Sequence, residues 1–227
     1  MKIHIFYRHF NIEGNDFKGR PKWFNFEKCF LNLLSTIKDK NVDLHVVMDG
    51  DVYSNFIDKY KEHYTLHSIK AGNDQSSFFQ TWDIVKNLNI PNTDLIYFLE
   101  NDYLHVDDWV EIVTNLFETY QGLHYVSLYD HNDKYFLPMY ENLTSKIFTT
   151  SKHHWRTTPS TCGSFIISKD IFEEDFIDHT TIVGDHNKFL QLTQTKNRFV
   201  LTPIPGLSTH CMEGLLSPTI NWQQINS

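Results

Sequence analysis

Apolar positions in the first half of the chain follow two alternating rhythms: a short period-two or unbroken run, then a longer stretch at helical spacing. Residues 2–7 (Lys-Ile-His-Ile-Phe-Tyr) alternate and predict a strand running into a polar loop over 8–20 that contains Gly14 and Gly19. Beyond Pro21, the residues Phe26, Cys29, Phe30, Leu33, Leu34 and Ile37 share one helical face, predicting a helix over 23–38. A second strand over 42–48 stops at Asp49-Gly50-Asp51, and a helix resumes near Tyr53. A third strand covers 65–69, and Phe78, Phe79, Trp82 and Val85 mark the inner face of a helix over 75–88 that Pro91 closes.

Residues 94–99 (Asp-Leu-Ile-Tyr-Phe-Leu) form a nearly unbroken apolar run, as required of a strand buried on both faces. It ends at Glu100-Asn101-Asp102, and Asp107-Asp108-Trp109 then opens a helix with acids where the macrodipole favours them. Parallel neighbours need crossover connections, so this repetition predicts an α/β fold with a mostly parallel central sheet flanked by helices. In such sheets ligands gather beyond the C-terminal strand ends, so both acidic turns fall on one rim. After residue 130 the pattern loosens, predicting mixed pairing: strands over 124–129, 164–167 and 198–202, helices over 170–176 and 185–192, and an extended tail from 203. No repeat or linker divides the chain, so it reads as one domain over 1–227, with a regular first half (1–130) and a less regular second half plus tail (131–227).

Composition narrows the classes. With 227 residues, 41% hydrophobic and 21% charged, the chain is long and apolar enough for a large core. A net charge of −8 argues against a surface that tracks nucleic acid. No run suffices for a membrane span or secretory leader, and the three scattered cysteines suggest neither a disulfide framework nor a Cys-x-x-Cys zinc site, so the reading is a soluble, cytoplasmic protein without a transmembrane segment. Asn142-Leu143-Thr144 is then an idle sequon. His153 and His154 are adjacent, not four apart on a helix, which disfavours zinc, and no P-loop or Gly-x-Gly-x-x-Gly segment occurs.

Glu100 and Asp102 stand two residues apart just beyond a buried strand, where they either form a solvated turn or reach a hard divalent cation that completes its shell with phosphate oxygens. Their company resembles the metal-dependent nucleotide-sugar glycosyltransferases of the GT-A fold, nearest to family-2-like members: the Rossmann-like half, acidic Asp49, and Glu100-Asn101-Asp102 where the family carries Asp-x-Asp. Gly184-Asp185-His186 resembles the family's Glu-Asp helix, with Gly in place of Glu, and Pro205-Gly206-Leu207-Ser208-Thr209-His210 resembles the tail that folds back to give the metal a histidine. The Gln-x-x-Arg-Trp motif of processive synthases is absent.

The resemblance implies an inverting transferase that moves one sugar from a nucleotide donor, UDP-linked by expectation, to a hydroxyl of a glycan, lipid or protein acceptor. It implies Mn²⁺ or Mg²⁺ held by Glu100, Asp102 and His210, with Asp185 as general base. Asp49 would meet the uracil N–H, Tyr7 and Arg8 the base and ribose, and Asp51, Asn101, Arg156 and Gly163 would join the donor site, with Trp155 available to stack on a sugar. Two rivals stay open: a sugar nucleotidyltransferase, of whose basic glycine loop Gly14, Lys18, Gly19 and Arg20 are a trace, and a non-catalytic transferase-like binding module.

Overall fold

Alternation along the inner strands sets the architecture. In the computed structural model, which describes residues 1–10, 18–53 and 55–225, β1 (Ile3–Phe10) sends Ile3, Ile5 and Tyr7 to one face and Phe6 to the other. β4 (Leu95–Glu100) divides the same way, with Leu95, Tyr97 and Leu99 against Ile96 and Phe98. The first face is covered by α1 (Phe26–Ile37) through Phe30 and Leu33, and by α3 (Trp109–Thr119) through Val113 and Leu116. The second is covered by α2 (Asp74–Asn87) through Phe78, Trp82 and Val85, and by α4 (Lys169–Thr181) through Ile171 and Phe172. Asn25 and Asn73 cap α1 and α2, each side chain accepting a hydrogen bond from the amide three residues on.

β1 pairs in parallel with both β2 (Val42–Asp49) and β4, and β2 pairs in parallel with β3 (Thr65–Ile69). The remaining strands are β5 (Tyr103–His105), β6 (Tyr125–Val126), β7 (Ile147–Thr149), β8 (His154–Thr158), β9 (Phe165–Ser168), β10 (Val200–Ile204) and β11 (Ser208–His210). The main sheet has nine strands in the order β3-β2-β1-β4-β9-β6-β10-β8-β7, and β9 lies antiparallel between β4 and β6. Parallel order in the first half and mixed pairing in the second follow the sequence pattern, but the two halves interleave within one sheet. No helix among the described residues is long and apolar enough to cross a membrane.

Several boundaries shift for identifiable reasons. The strand expected over 124–129 keeps only two residues, because the Leu128 carbonyl turns away to accept from the amides of Leu207 and Ser208. The helix expected near Tyr53 is a 3₁₀ segment, Phe56–His63. The helix expected over 170–176 extends to Thr181, and α5 (Asp185–Leu190) runs into a π turn, Gln191–Thr195. Gly14 lies outside the described residues.

The tail is not merely extended. β11 pairs antiparallel with β5, matching His210 with Tyr103, and the Cys211 amide donates to the Asp102 carbonyl. Its approach runs through Gly206, where a Cβ would lie 3.0 Å from the Ser217 Cβ and 3.2 Å from the Asp130 amide nitrogen. Ser217 locks this turn, its hydroxyl donating to the Asp130 carbonyl at 2.9 Å and its amide to the Thr209 hydroxyl at 2.8 Å. On the far face, Asp175 is fully buried and accepts from the Tyr125 hydroxyl at 2.7 Å and from the Arg198 guanidinium and the Lys196 ammonium at 2.9–3.0 Å, tying α4 to the strands it covers.

Two stability predictions follow from these contacts. Gly206→Ala has no space for its methyl group without moving backbone, and should lower the unfolding free energy by roughly 1–3 kcal/mol, measured by denaturant titration. Asp175→Ala strands buried donors and should cost about 3 kcal/mol in the same measurement.

Candidate functional site

The register of the parallel strands places the chemistry. Asp49 at the end of β2 lies opposite Phe10, and Glu100 at the end of β4 lies opposite Arg8, so both acidic turns share one rim with the end of β1 between them. Arg8 is 6% exposed and spans the rim: Nη1 donates to Asp74 Oδ1 at 2.9 Å, and Nη2 stands 3.4 Å from Glu100 Oε1. Burial pushes the Glu100 carboxyl up, and Arg8 opposes that shift. A Cβ on Gly163 would lie 3.0 Å from Arg8 Nη2 and 3.4 Å from Glu100 Cδ, so this glycine makes room for the ion pair.

Two residues on, Asp102 is 1% exposed, and the tail reaches it as the β5–β11 pairing dictates. His210 Nε2 lies 2.9 Å from Asp102 Oδ2, and its ring stacks on Tyr103. The same oxygen accepts from Lys18 Nζ at 2.8 Å and from Arg20 Nη2 at 2.9 Å, and Lys18 Nζ is 3.2 Å from His210 Nε2. Arg20 is held by a second donation, from Nη1 to the Cys211 carbonyl at 2.9 Å, and by Phe24, whose ring centre is 4.4 Å away. Burial alone would push the Asp102 carboxyl up; His210, Lys18 and Arg20 overcome it and hold the group well below the ordinary carboxylate range.

This arrangement tests the three-ligand metal set of the resemblance. Asp102 and His210 meet, but Arg8 and the Ser164 hydroxyl, 3.3 Å from Oε2, engage Glu100. Among the described residues no three His, Cys, Asp or Glu side chains form a group able to hold a metal ion. Asp102 Oδ1 lacks a hydrogen-bond partner but is closed to solvent, so an arriving ion meets only Oδ2, which already carries two cations and an imidazole. The donor set therefore does not fit a resident divalent ion.

The other expected donor contacts fare differently. Tyr7 is buried in the core, its hydroxyl donating to the Asn101 carbonyl at 3.3 Å, so it does not face a nucleoside. Asn101 is also buried, with Nδ2 3.0 Å from His9 Nδ1. Asp49 braces the loop before α2, accepting from the Ala71 and Gly72 amides at 2.9 Å each. Asp51 is exposed and accepts from the Tyr53 amide. Arg156 pairs with buried Asp130 at 2.8 Å, and Trp155 is wholly in the core, so neither reaches a diphosphate or a sugar. Asp74, Lys18 and Arg20 are the site members that periodicity missed. The signal for the last two was the basic Lys18-Gly19-Arg20 run in the polar segment that follows the first strand.

Asp185, the first residue of α5, lines an open cavity of about 530 Å³ shared with Arg8, Asp74, Phe78, Gly163 and Lys188. Burial raises its carboxyl above the ordinary value, countered in part by Lys188, whose Nζ is 3.6 Å from Oδ1, and by Arg8. The Cys162 thiol is pushed up by burial and, to a smaller degree, by the charges of Glu100, Asp185 and Asp102.

Neither a protein-family model nor a characterised protein sequence matches this chain. Solved structures do. A protein of Desulfovibrio desulfuricans G20 assigned as a nucleotide-diphospho-sugar transferase aligns with a TM-score of 0.50 at 13% identity, over 89% of this chain and 80% of that one. CMP:2-keto-3-deoxy-manno-octonic acid synthetase, complexed with CTP, aligns with a TM-score of 0.55 at 10% identity, over 91% and 92%. Residues 1–349 of S. aureus TarS align with a TM-score of 0.52 at 10% identity, over 89% of this chain but only 58% of that one. At such identities the likeness is one of architecture: the chain has the Rossmann-like GT-A fold that nucleotide-diphospho-sugar transferases also adopt.

Proposed function

We propose that the protein is a nucleotide-sugar-dependent glycosyltransferase that moves one sugar to an acceptor hydroxyl with inversion. The observation that carries the reading is the single rim on which Asp102 with its cations, the Arg8–Glu100 pair and the Asp185 cavity stand side by side on a GT-A sheet. The donor's diphosphate lies along this rim, and the acceptor enters the cavity from the Asp185 side. The acceptor oxygen attacks the anomeric carbon as its proton passes to Asp185. The bond to the diphosphate breaks on the opposite face, and the leaving group departs with its electron pair. A carboxylate with a raised pKa suits that task, because a base works best when its pKa approaches the working pH. Donor base, sugar and acceptor are open; a UDP-linked donor and a glycan, lipid or protein acceptor come from the resemblance.

A second reading, sugar nucleotidyl transfer, is favoured by one observation: the basic residues on the loop after β1 reach the rim, in a fold shared with a synthetase that binds CTP. Release of pyrophosphate from a nucleoside triphosphate and a sugar phosphate would select it. Release of nucleoside diphosphate from a nucleotide sugar, dependent on an acceptor, selects glycosyl transfer.

Two outcomes test the base. Asp185→Asn should lower kcat by roughly 10²–10⁴-fold while leaving nucleotide affinity intact; equal loss of both removes the role. Since Asp185 accepts a proton only when ionised, and its pKa is raised, transfer should fall as pH drops through a midpoint above the ordinary aspartate value of about 3.9. That acid limb should vanish from the residual rate of the Asn variant.

A further inference from the structure

We infer that Lys18 and Arg20 supply the positive charge that holds the donor's diphosphate, so that nucleotide binding and transfer need no divalent ion. This rests on the nucleotide-sugar reading above and goes beyond it by replacing the metal with two side chains of the protein itself.

The geometry makes the case. Asp102 and His210 are the residues that would hold a metal; the Lys18 ammonium stands 2.8 Å from Asp102 Oδ2 and 3.2 Å from His210 Nε2, between the two groups that would serve as ligands. Seating a divalent cation there means expelling that ammonium, with the Arg20 guanidinium still 2.9 Å from the shared oxygen and repelling the newcomer. Glu100, the third carboxylate that would offset this repulsion, is committed to Arg8 and Ser164.

Charge and rigidity point the same way. One carboxylate stands between two cations, so Asp102 holds both the Lys18 and the Arg20 side chains at the rim of a protein whose overall charge is −8. Arg20 is pre-positioned by the Cys211 carbonyl, Asp102 and Phe24, so little ordering remains when a phosphate arrives. Lys18, 41% exposed at its side chain, is the more accessible of the two and can turn an N–H toward a phosphate oxygen while Arg20 stays on Asp102.

The test uses the full chain after EDTA treatment. Binding of UDP, CDP, GDP, ADP and dTDP is measured by calorimetry with EDTA, with MgCl₂ and with MnCl₂, and binding of Mn²⁺ alone is followed by its electron paramagnetic resonance signal. At least one diphosphate should bind with the same affinity in EDTA as with either metal, and the protein alone should leave the Mn²⁺ signal unchanged. Lys18→Gln and Arg20→Gln should each weaken that diphosphate at least about tenfold, the loss of one charge-assisted contact, while Lys18→Arg retains binding. Denaturant midpoints check that the variants fold. Diphosphate binding that requires Mn²⁺, or that survives both Gln substitutions, overturns the inference and leaves the transferase reading standing. Absence of binding by every diphosphate under all three conditions overturns the transferase reading itself.

Discussion

A carboxylate withdrawn from water stays ionised only if the protein surrounds it with donors and positive charge, and Asp102 imposes that demand at the end of the central strand β4. Satisfying it recruits two segments that are remote in sequence. The loop after β1 brings Lys18 and Arg20, and the C-terminal tail brings His210. Neither could be displaced without leaving a buried charge undercompensated, so the acid acts as an anchor for both segments. The tail's pairing through β11, its turn at Gly206 and the cap of Trp222 against Cys29, Leu104 and Cys211 all serve to hold that meeting point.

The same logic governs the neighbouring residues. Arg8 is buried beside Glu100 and Asp74, and Gly163 is small because the pair needs the space. Charges on the rim are therefore paired before any ligand arrives, and a phosphate-bearing ligand would exchange one set of partners for another in place of entering an empty, highly charged cleft. A preorganised polar surface of this kind loses little to reorganisation when negative charge moves onto a leaving group.

Much of the architecture was legible because period-two runs and helical faces are local properties. β1, β3 and β4, the faces of α1, α2 and α3, and the common rim of Asp49 and Glu100 all follow from spacing. The meeting of Asp102 and His210 was legible only through resemblance, since no local pattern links residues 108 apart. What stayed hidden was direction. Tyr7 and Trp155 sit at strand positions where a one-residue step separates core from rim, and both prove to be core. Asp49 was read as a ligand group, yet its oxygens meet two loop amides. Lys18 and Arg20 lay in a polar stretch with no periodicity, and only the burial of Asp102 tells where such long side chains point.

The place of β9 has one more consequence. β4, whose residues are apolar on both faces, finds its second neighbour only in Phe165–Ser168, some seventy residues later, because β9 is inserted between it and β6. Until that segment has emerged from the ribosome, this apolar central strand presents an unpaired edge, a template for pairing with other chains. A product of translation that stops short of residue 165 would carry this open edge permanently, so the order in which the sheet is completed makes premature termination an aggregation hazard for this protein.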